Sequence, residues 1–311
     1  MKNMDKSEVA MFLRRKTLLI LAMLACGALA ANTAVGDMTY GLESLAPGGT
    51  VPSSPPTYLY RFEDNTPGAV TNLGRVKLPD GSDVDADGLA WSTKHGLVAF
   101  SVQTGAPSSS MLTIDPSTRV ATPKSFSPYS GRDIRGAVFD VGDKLWVVDA
   151  TQDQLLRINP VNGSIEQTVN VMLSGAPFNL SNTTDIAIRR DGTFFLTSTY
   201  DIYTIDVSTG ALTLQHNLGP PGSSTHALAG ISFSTDGPDN VLFGYDINGS
   251  DDIYQYNISG GYVASSFALD FISGFNAGRG DLATITVPVP GAVLLGLLGL
   301  SAAGIKLRKF A

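Results

Sequence analysis

Three carboxylates at alternate positions followed by a glycine, Asp83-Val84-Asp85-Ala86-Asp87-Gly88, form the sharpest chemical pattern in the chain. In a tight loop, alternate residues turn their oxygens inward and glycine permits the bend, as in the opening of an EF-hand-like calcium loop. Asp83, Asp85 and Asp87 are therefore the candidate ligands for a Ca2+ ion. The twelfth position, where such a loop carries a bidentate acid, is Lys94. Affinity is accordingly expected to be weak, with further ligands drawn from elsewhere. The competing reading is a solvated acidic turn that leads into the strand Leu89–Trp91.

Beyond this loop the residues offer little chemistry. The 311 residues contain no G-x-S-x-G, no H-E-x-x-H, no G-x-x-x-x-G-K-[ST] and no glycine fingerprint opening a helix. His95, His216 and His226 are scattered, without metal-ligand spacing. The single cysteine, Cys26, lies in an apolar N-terminal stretch, so the body has no disulfide, Cys-ligated zinc or thiol nucleophile. Residues 31–305 carry 13 basic against 26 acidic side chains, a net of −13. A body that acidic repels phosphate backbones, which excludes nucleic acid as a partner.

The elements that must position these residues repeat with a period near fifty. One unit is a strand running into an Asp/Asn turn: LYRFEDNTPG (59–68), LTIDPSTR (112–119), LRINPVNG (156–163), YTIDVSTG (203–210) and YQYNISGG (254–261). A second is DGLAW (87–91), RGAVF (135–139), TDIAI (184–188), AGISF (229–233) and GDLAT (280–284). Taking Gly88, Gly136, Asp185, Gly230 and Asp281 as equivalent gives steps of 48, 49, 45 and 51. Between them lie runs such as GLVAFSV (96–102) and KLWVVDA (144–150). Short β-rich segments separated by Gly/Asp/Asn turns every eight to twelve residues are the layout of propeller blades. The expectation is an all-β β-propeller over residues 57–287, of about five blades, with room for a sixth or seventh in irregular insertions. The first copy lacks the DGLAW-type unit and the last such unit lacks its turn. Residues 280–287 are therefore expected to complete the blade begun by 57–65, since closure removes exposed sheet edges.

Both ends read as addresses. Arg14, Arg15 and Lys16, an apolar run and Ala28-Leu29-Ala30 form a signal peptide over residues 1–30, followed by a linker, 31–56. At the other end, 288–311 is read as a tail: Val287, Pro288, Val289, Pro290 and Gly291 precede the apolar run Ala292–Ile305. Lys306, Arg308 and Lys309 then form a basic stop that the positive-inside rule keeps cytoplasmic. This triplet of motif, short transmembrane helix and basic tail resembles the PEP-CTERM sorting signal of Gram-negative bacteria, with Val289 where the family name implies Glu. The resemblance implies an exosortase-like processing enzyme, transient inner-membrane anchoring, release to the cell surface or medium, and association with exopolysaccharide.

Two functional classes follow. The first is an exported, non-enzymatic surface or matrix propeller. The second is a secreted metal-dependent hydrolase or lactonase. Asp87-Gly88 resembles the acid–Gly pair that gluconolactonase-type propellers place at an inner-strand entrance. That resemblance implies Asp87 and Asp185 near the axis, with Arg135 as their cation partner. The absence of a catalytic set favours the first class.

Overall fold

Alternating β-branched and aromatic residues between Asx and glycine turns give strands, and no helix occurs among the described residues. The computed structural model describes residues 38–47, 56–64, 66–101, 110–124, 132–218, 227–234, 241–247, 252–258, 262–268 and 275–285. The expected signal peptide, the Val287–Gly291 motif and the basic stop lie outside them.

Blade 1 contains β1 (Met38–Pro47), β2 (Thr57–Glu63) and β3 (Thr66–Arg75). Blade 2 follows as β4 (Ala86–Ser92), β5 (Gly96–Ser101), β6 (Met111–Asp115) and β7 (Val120–Pro123). Blade 3 is β8 (Ile134–Phe139), β9 (Leu145–Asp149), β10 (Gln154–Ile158) and β11 (Ile165–Asn170). Two short strands, β12 (Met172–Leu173) and β13 (Ala176–Pro177), lead to blade 4. That blade is β14 (Thr184–Ile188), β15 (Phe194–Ser198), β16 (Asp201–Asp206) and β17 (Ala211–Asn217). Blade 5 is β18 (Leu228–Phe233), β19 (Val241–Asp246), β20 (Asp252–Asn257) and β21 (Tyr262–Ala268), and β22 (Phe275–Ile285) ends the described chain. In blades 2 to 5 each sheet runs outward from its first strand, and β12 extends blade 4 by pairing in parallel with β17. The result is a five-bladed β-propeller.

Closure differs from the expectation in one respect. β22 is the inner strand of blade 1, but its antiparallel neighbour is β1, which in turn pairs with β2. Residues 280–285 and 57–63 therefore share a blade without touching as neighbours. The segment read as a linker, 31–56, supplies the strand between them. Thr39 to Ser44 are buried without a break. A strand packed on both faces shows no polar alternation, so this one does not stand out in sequence.

The core is divided into five clusters, one for each junction between neighbouring blades. Leu42 and Leu59 meet Leu89 and Leu97 between blades 1 and 2. Phe100 and Met111 meet Val147 and Leu156 between blades 2 and 3. Val148 and Leu155 meet Leu196 and Tyr203 between blades 3 and 4. Phe195 and Ile202 meet Ile231 and Leu242 between blades 4 and 5. The last cluster closes the ring, with Tyr60, Phe62 and Leu282 of blade 1 against Phe243, Tyr245 and Ile253 of blade 5. Strands inside this ring are covered on both faces, which is why all five residues of β9 are buried.

The repeated turn has one geometry in three copies. Asp115, Asn159 and Asp206 each accept the N–H two residues on, at 2.8, 3.0 and 2.9 Å. Their own carbonyls accept the N–H four residues on, from Arg119, Gly163 and Gly210, each at 2.7 Å. That last residue must be left-handed, with φ of 61°, 73° and 76° in the three copies. The hydroxyl of Ser117, followed by its backbone N–H, holds the Asp115 carboxyl down at about 2.

If β22 closes the ring as described, Leu282→Ala removes a side chain from the junction between blades 5 and 1. Equilibrium urea unfolding is expected to show a loss of about 2–5 kcal/mol. Leu214→Ala, at a site 53% exposed, should shift stability by less than about 0.5 kcal/mol. Equal effects of the two changes would contradict closure by β22.

Candidate functional site at the propeller axis

The inner strands β4, β8, β14, β18 and β22 approach one another around the axis, and some meet across the ring. Their equivalent positions are Gly88, Gly136, Asp185, Gly230 and Asp281. The pairing of inner and second strands is irregular at Asp87/Ala90, Ile134/Gly136 and Leu228/Gly230. These bulges bend three inner strands at the level where they converge. Space is then too tight for five side chains. A Cβ on Gly136 would stand 2.7 Å from the Asp185 Cα, and one on Gly230 would stand 2.6 Å from the Asp281 Cα. Two carboxyl groups fill what the three glycines leave.

Asp185 and Asp281 are both fully buried. Asp281 Oδ2 accepts the Leu89 N–H of blade 2, and its Oδ1 accepts the Leu282 N–H at 2.6 Å. Asp185 Oδ2 accepts the Ile231 N–H of blade 5, and its Oδ1 accepts the Ile186 N–H at 2.6 Å. Each acid therefore bonds to its own strand and to the next blade. The two carboxyls also lie close enough for each to shift the other. Burial pushes both well above the ordinary carboxylate range, with Asp87 adding to the effect. Hydrogen bonds lower Asp185, whereas the Asp185 charge raises Asp281 further. Two buried carboxyls in contact resist ionising together, so they titrate as a unit that retains a proton above the ordinary carboxylate range.

A second charge pair lies beside the first. Arg135 Nη1 donates to Asp87 Oδ2 at 3.5 Å, and its Nε and Nη2 donate to Asp133 at 2.8 and 2.7 Å. Burial, the largest influence, works against the Arg135 charge, and the Asp87 and Asp133 carboxylates outweigh it. The guanidinium therefore remains a cation between blades 2 and 3. Asp87, Asp185 and Arg135 do gather at the axis as the sequence implied. The Asp185–Asp281 contact was not foreseen, although both residues occupy positions where three repeats have glycine.

The three acids of the Asp83–Gly88 loop do not converge. Asp83 lies on the rim, ion-paired to Arg75 at 3.4 Å and Lys77 at 3.5 Å. Asp85 is buried beneath Ser44, whose hydroxyl donates to it at 3.4 Å. Asp87 reaches the axis and Arg135. The segment is extended into β4, and each two-residue step on such a chain advances about 6.5 Å, too far for one ion to reach all three. Among the described residues no group of three His, Cys, Asp or Glu side chains forms a metal cluster. At this level Asp87, Arg135, Asp185 and Asp281 form a buried polar plug.

The retained proton gives stability a pH dependence with a definite sign. Both carboxyls have raised native values, so their contribution is fully present below the unfolded carboxylate range. It is lost as pH rises through the raised native values. Retention of one proton corresponds to a slope of up to about 1.4 kcal/mol per pH unit. Asp281→Asn keeps a donor toward Asp185 and removes the titration at that position. Urea unfolding from pH 4.5 to 8 is expected to show a flatter decline for Asp281→Asn than for the wild type. The difference in slope cancels the opposite contribution of His95, whose value is lowered first by burial and then by Lys94. Parallel slopes would show that the pair does not retain a proton.

No protein-family model matches the chain, and no curated protein matches it. Among solved structures, a Bacteroides thetaiotaomicron protein of unknown function is similar at TM-score 0.47 and 12% identity, over 79% of this chain and 71% of that one. A glutaminyl cyclase from Myxococcus xanthus is similar at TM-score 0.43 and 17% identity, over 74% of this chain and 97% of that one. A catalytically inactive virginiamycin B lyase from Staphylococcus aureus, solved with quinupristin, gives TM-score 0.39 and 17% identity over 75% of each chain. Likeness at this level carries no argument about activity. The propeller stands on its own sheet order and on the five clusters that join its blades.

Proposed function

We propose that this chain is an exported, non-enzymatic propeller that is sorted by an exosortase-type system and works at the cell surface or in an exopolysaccharide matrix. The axis carries this reading. A hydrolase working there needs exposed, convergent groups, whereas Asp87, Arg135, Asp185 and Asp281 are buried and bonded between blades. The two ends supply the address, as residues rather than as geometry. The Val287-Pro288-Val289-Pro290-Gly291 motif, the apolar run and the basic Lys306, Arg308 and Lys309 fit a processed sorting signal.

Cell fractionation with intact-mass measurement tests this reading. The expected mature chain is found outside the inner membrane, begins near Ala31 and lacks most of residues 288–311. A chain that keeps Lys306–Ala311 and stays in the inner membrane would instead be a permanent tail-anchored protein. Lactone turnover abolished by a chelator would favour the metal-dependent hydrolase.

A further inference from the structure

Arg119 breaks the rule of the repeated turn. The two equivalent positions are Gly163 and Gly210, and all three residues are left-handed. Glycine adopts φ near +60° freely, whereas a side chain there is strained. Strain at one copy of a turn, in a fold that supplies glycine at the others, points to a use for the side chain.

The side chain of Arg119 lies across the outer rim between blades 1 and 2. Its backbone carbonyl accepts the Lys77 N–H at 3.0 Å, which fixes the turn against the link between these blades. Its Cδ and Nε run over Gly74 of β3, where an added Cβ would stand 3.5 Å away. Among the described residues nothing forms a hydrogen bond or ion pair with its guanidinium. A groove of about 410 Å³ opens here, lined by Arg75, Lys77 and Arg119 together with Leu73, Leu78 and Pro79. Asp83 is bonded to both Arg75 and Lys77. The nearby turn acids Asp80 and Asp115 accept from Ser82 and Ser117 in their own turns. Arg75 and Lys77 thus share one carboxylate, with further bonds from Arg75 to the Tyr58 hydroxyl and from Lys77 to the Gly81 carbonyl, while Arg119 takes no part.

We infer that this rim groove is a binding site for an oxyanion-bearing ligand, with the Arg119 fork taking a carboxylate or phosphate group and Arg75 and Lys77 flanking it. A planar guanidinium presents paired donors that match either group, and its unpaired state makes them available. Leu73, Leu78 and Pro79 offer an apolar wall to the body that carries the charge. This inference deepens the proposed function and rests on it for the setting. Ligand binding by the purified chain and sorting in the cell are separate measurements, so each can fail alone.

The test is isothermal titration of the full chain with two probes, inorganic phosphate and trigalacturonate, at low and at physiological salt. At least one probe is expected to bind at a single site that weakens with salt. Preference for phosphate would indicate a phosphorylated source, and preference for trigalacturonate a carboxylated saccharide. Arg119→Gly restores the residue of the other copies, so it should raise the melting temperature while weakening binding about tenfold or more. Arg190→Gln removes one exposed cation elsewhere and should leave binding unchanged. Failure of both probes to bind would overturn the site. So would unaltered binding by Arg119→Gly, or equal weakening by Arg190→Gln.

Discussion

Two carboxyl groups at the centre of a ring of five sheets set the terms for the rest of this protein. Asp185 and Asp281 bring their oxygens to one another and to backbone N–H groups of neighbouring blades. Buried carboxylates in contact are unfavourable unless protonated, paired or bonded to donors, and here each accepts two backbone N–H groups while burial raises both. The consequence is geometric. Gly136 and Gly230 sit against the α-carbons of the two acids, so blades 3 and 4 and blades 5 and 1 meet at fixed separations. Asp87 and Arg135 join blades 2 and 3 through charge instead.

Outward from the axis, apolar packing takes over. Five clusters lie between five pairs of blades, so no blade has a core of its own. A ring of this kind is stable only when complete, because an open end would expose one cluster and one inner edge. That requirement explains the composite first blade, which takes β22 from the end of the body and β1 to β3 from its start. The two ends of the propeller are thereby brought side by side, with Met38 opposite Ile285.

The repeat made the architecture legible. A recurring turn and a recurring inner strand gave the blade count and the sharing of the first blade, while the gathering of Asp87, Arg135 and Asp185 at the axis came from a resemblance at Asp87-Gly88. The strand Met38–Pro47 was hidden for a physical reason. Its residues 39–44 are buried on both faces, and in sequence it lies between an apolar leader and the stretch PGGTVPSSPP, which reads as a linker. The Asp83–Gly88 pattern rests on spacing alone. Alternate acids suggest a common ligand set only if the chain curls, and the strand that follows keeps it extended. Whether two acids titrate as a unit depends on distance across the ring, and no local pattern encodes that distance.

What remains informative is where the chain departs from its own repeat. Internal copies serve as a reference made of the same protein, with the same fold and solvent. At the axial position three copies have glycine and two have aspartate, and the aspartates turn out to be the plug. At the turn position two copies have left-handed glycine and one has Arg119, also left-handed and with no partner for its guanidinium among the described residues. The first departure is explained by packing, since the acids satisfy donors that would otherwise be buried without partners. The second has no such explanation among the described residues. A strained residue whose side chain has no partner among the described residues is where the repeat departs without a packing reason, and that departure is what draws attention to the rim between blades 1 and 2.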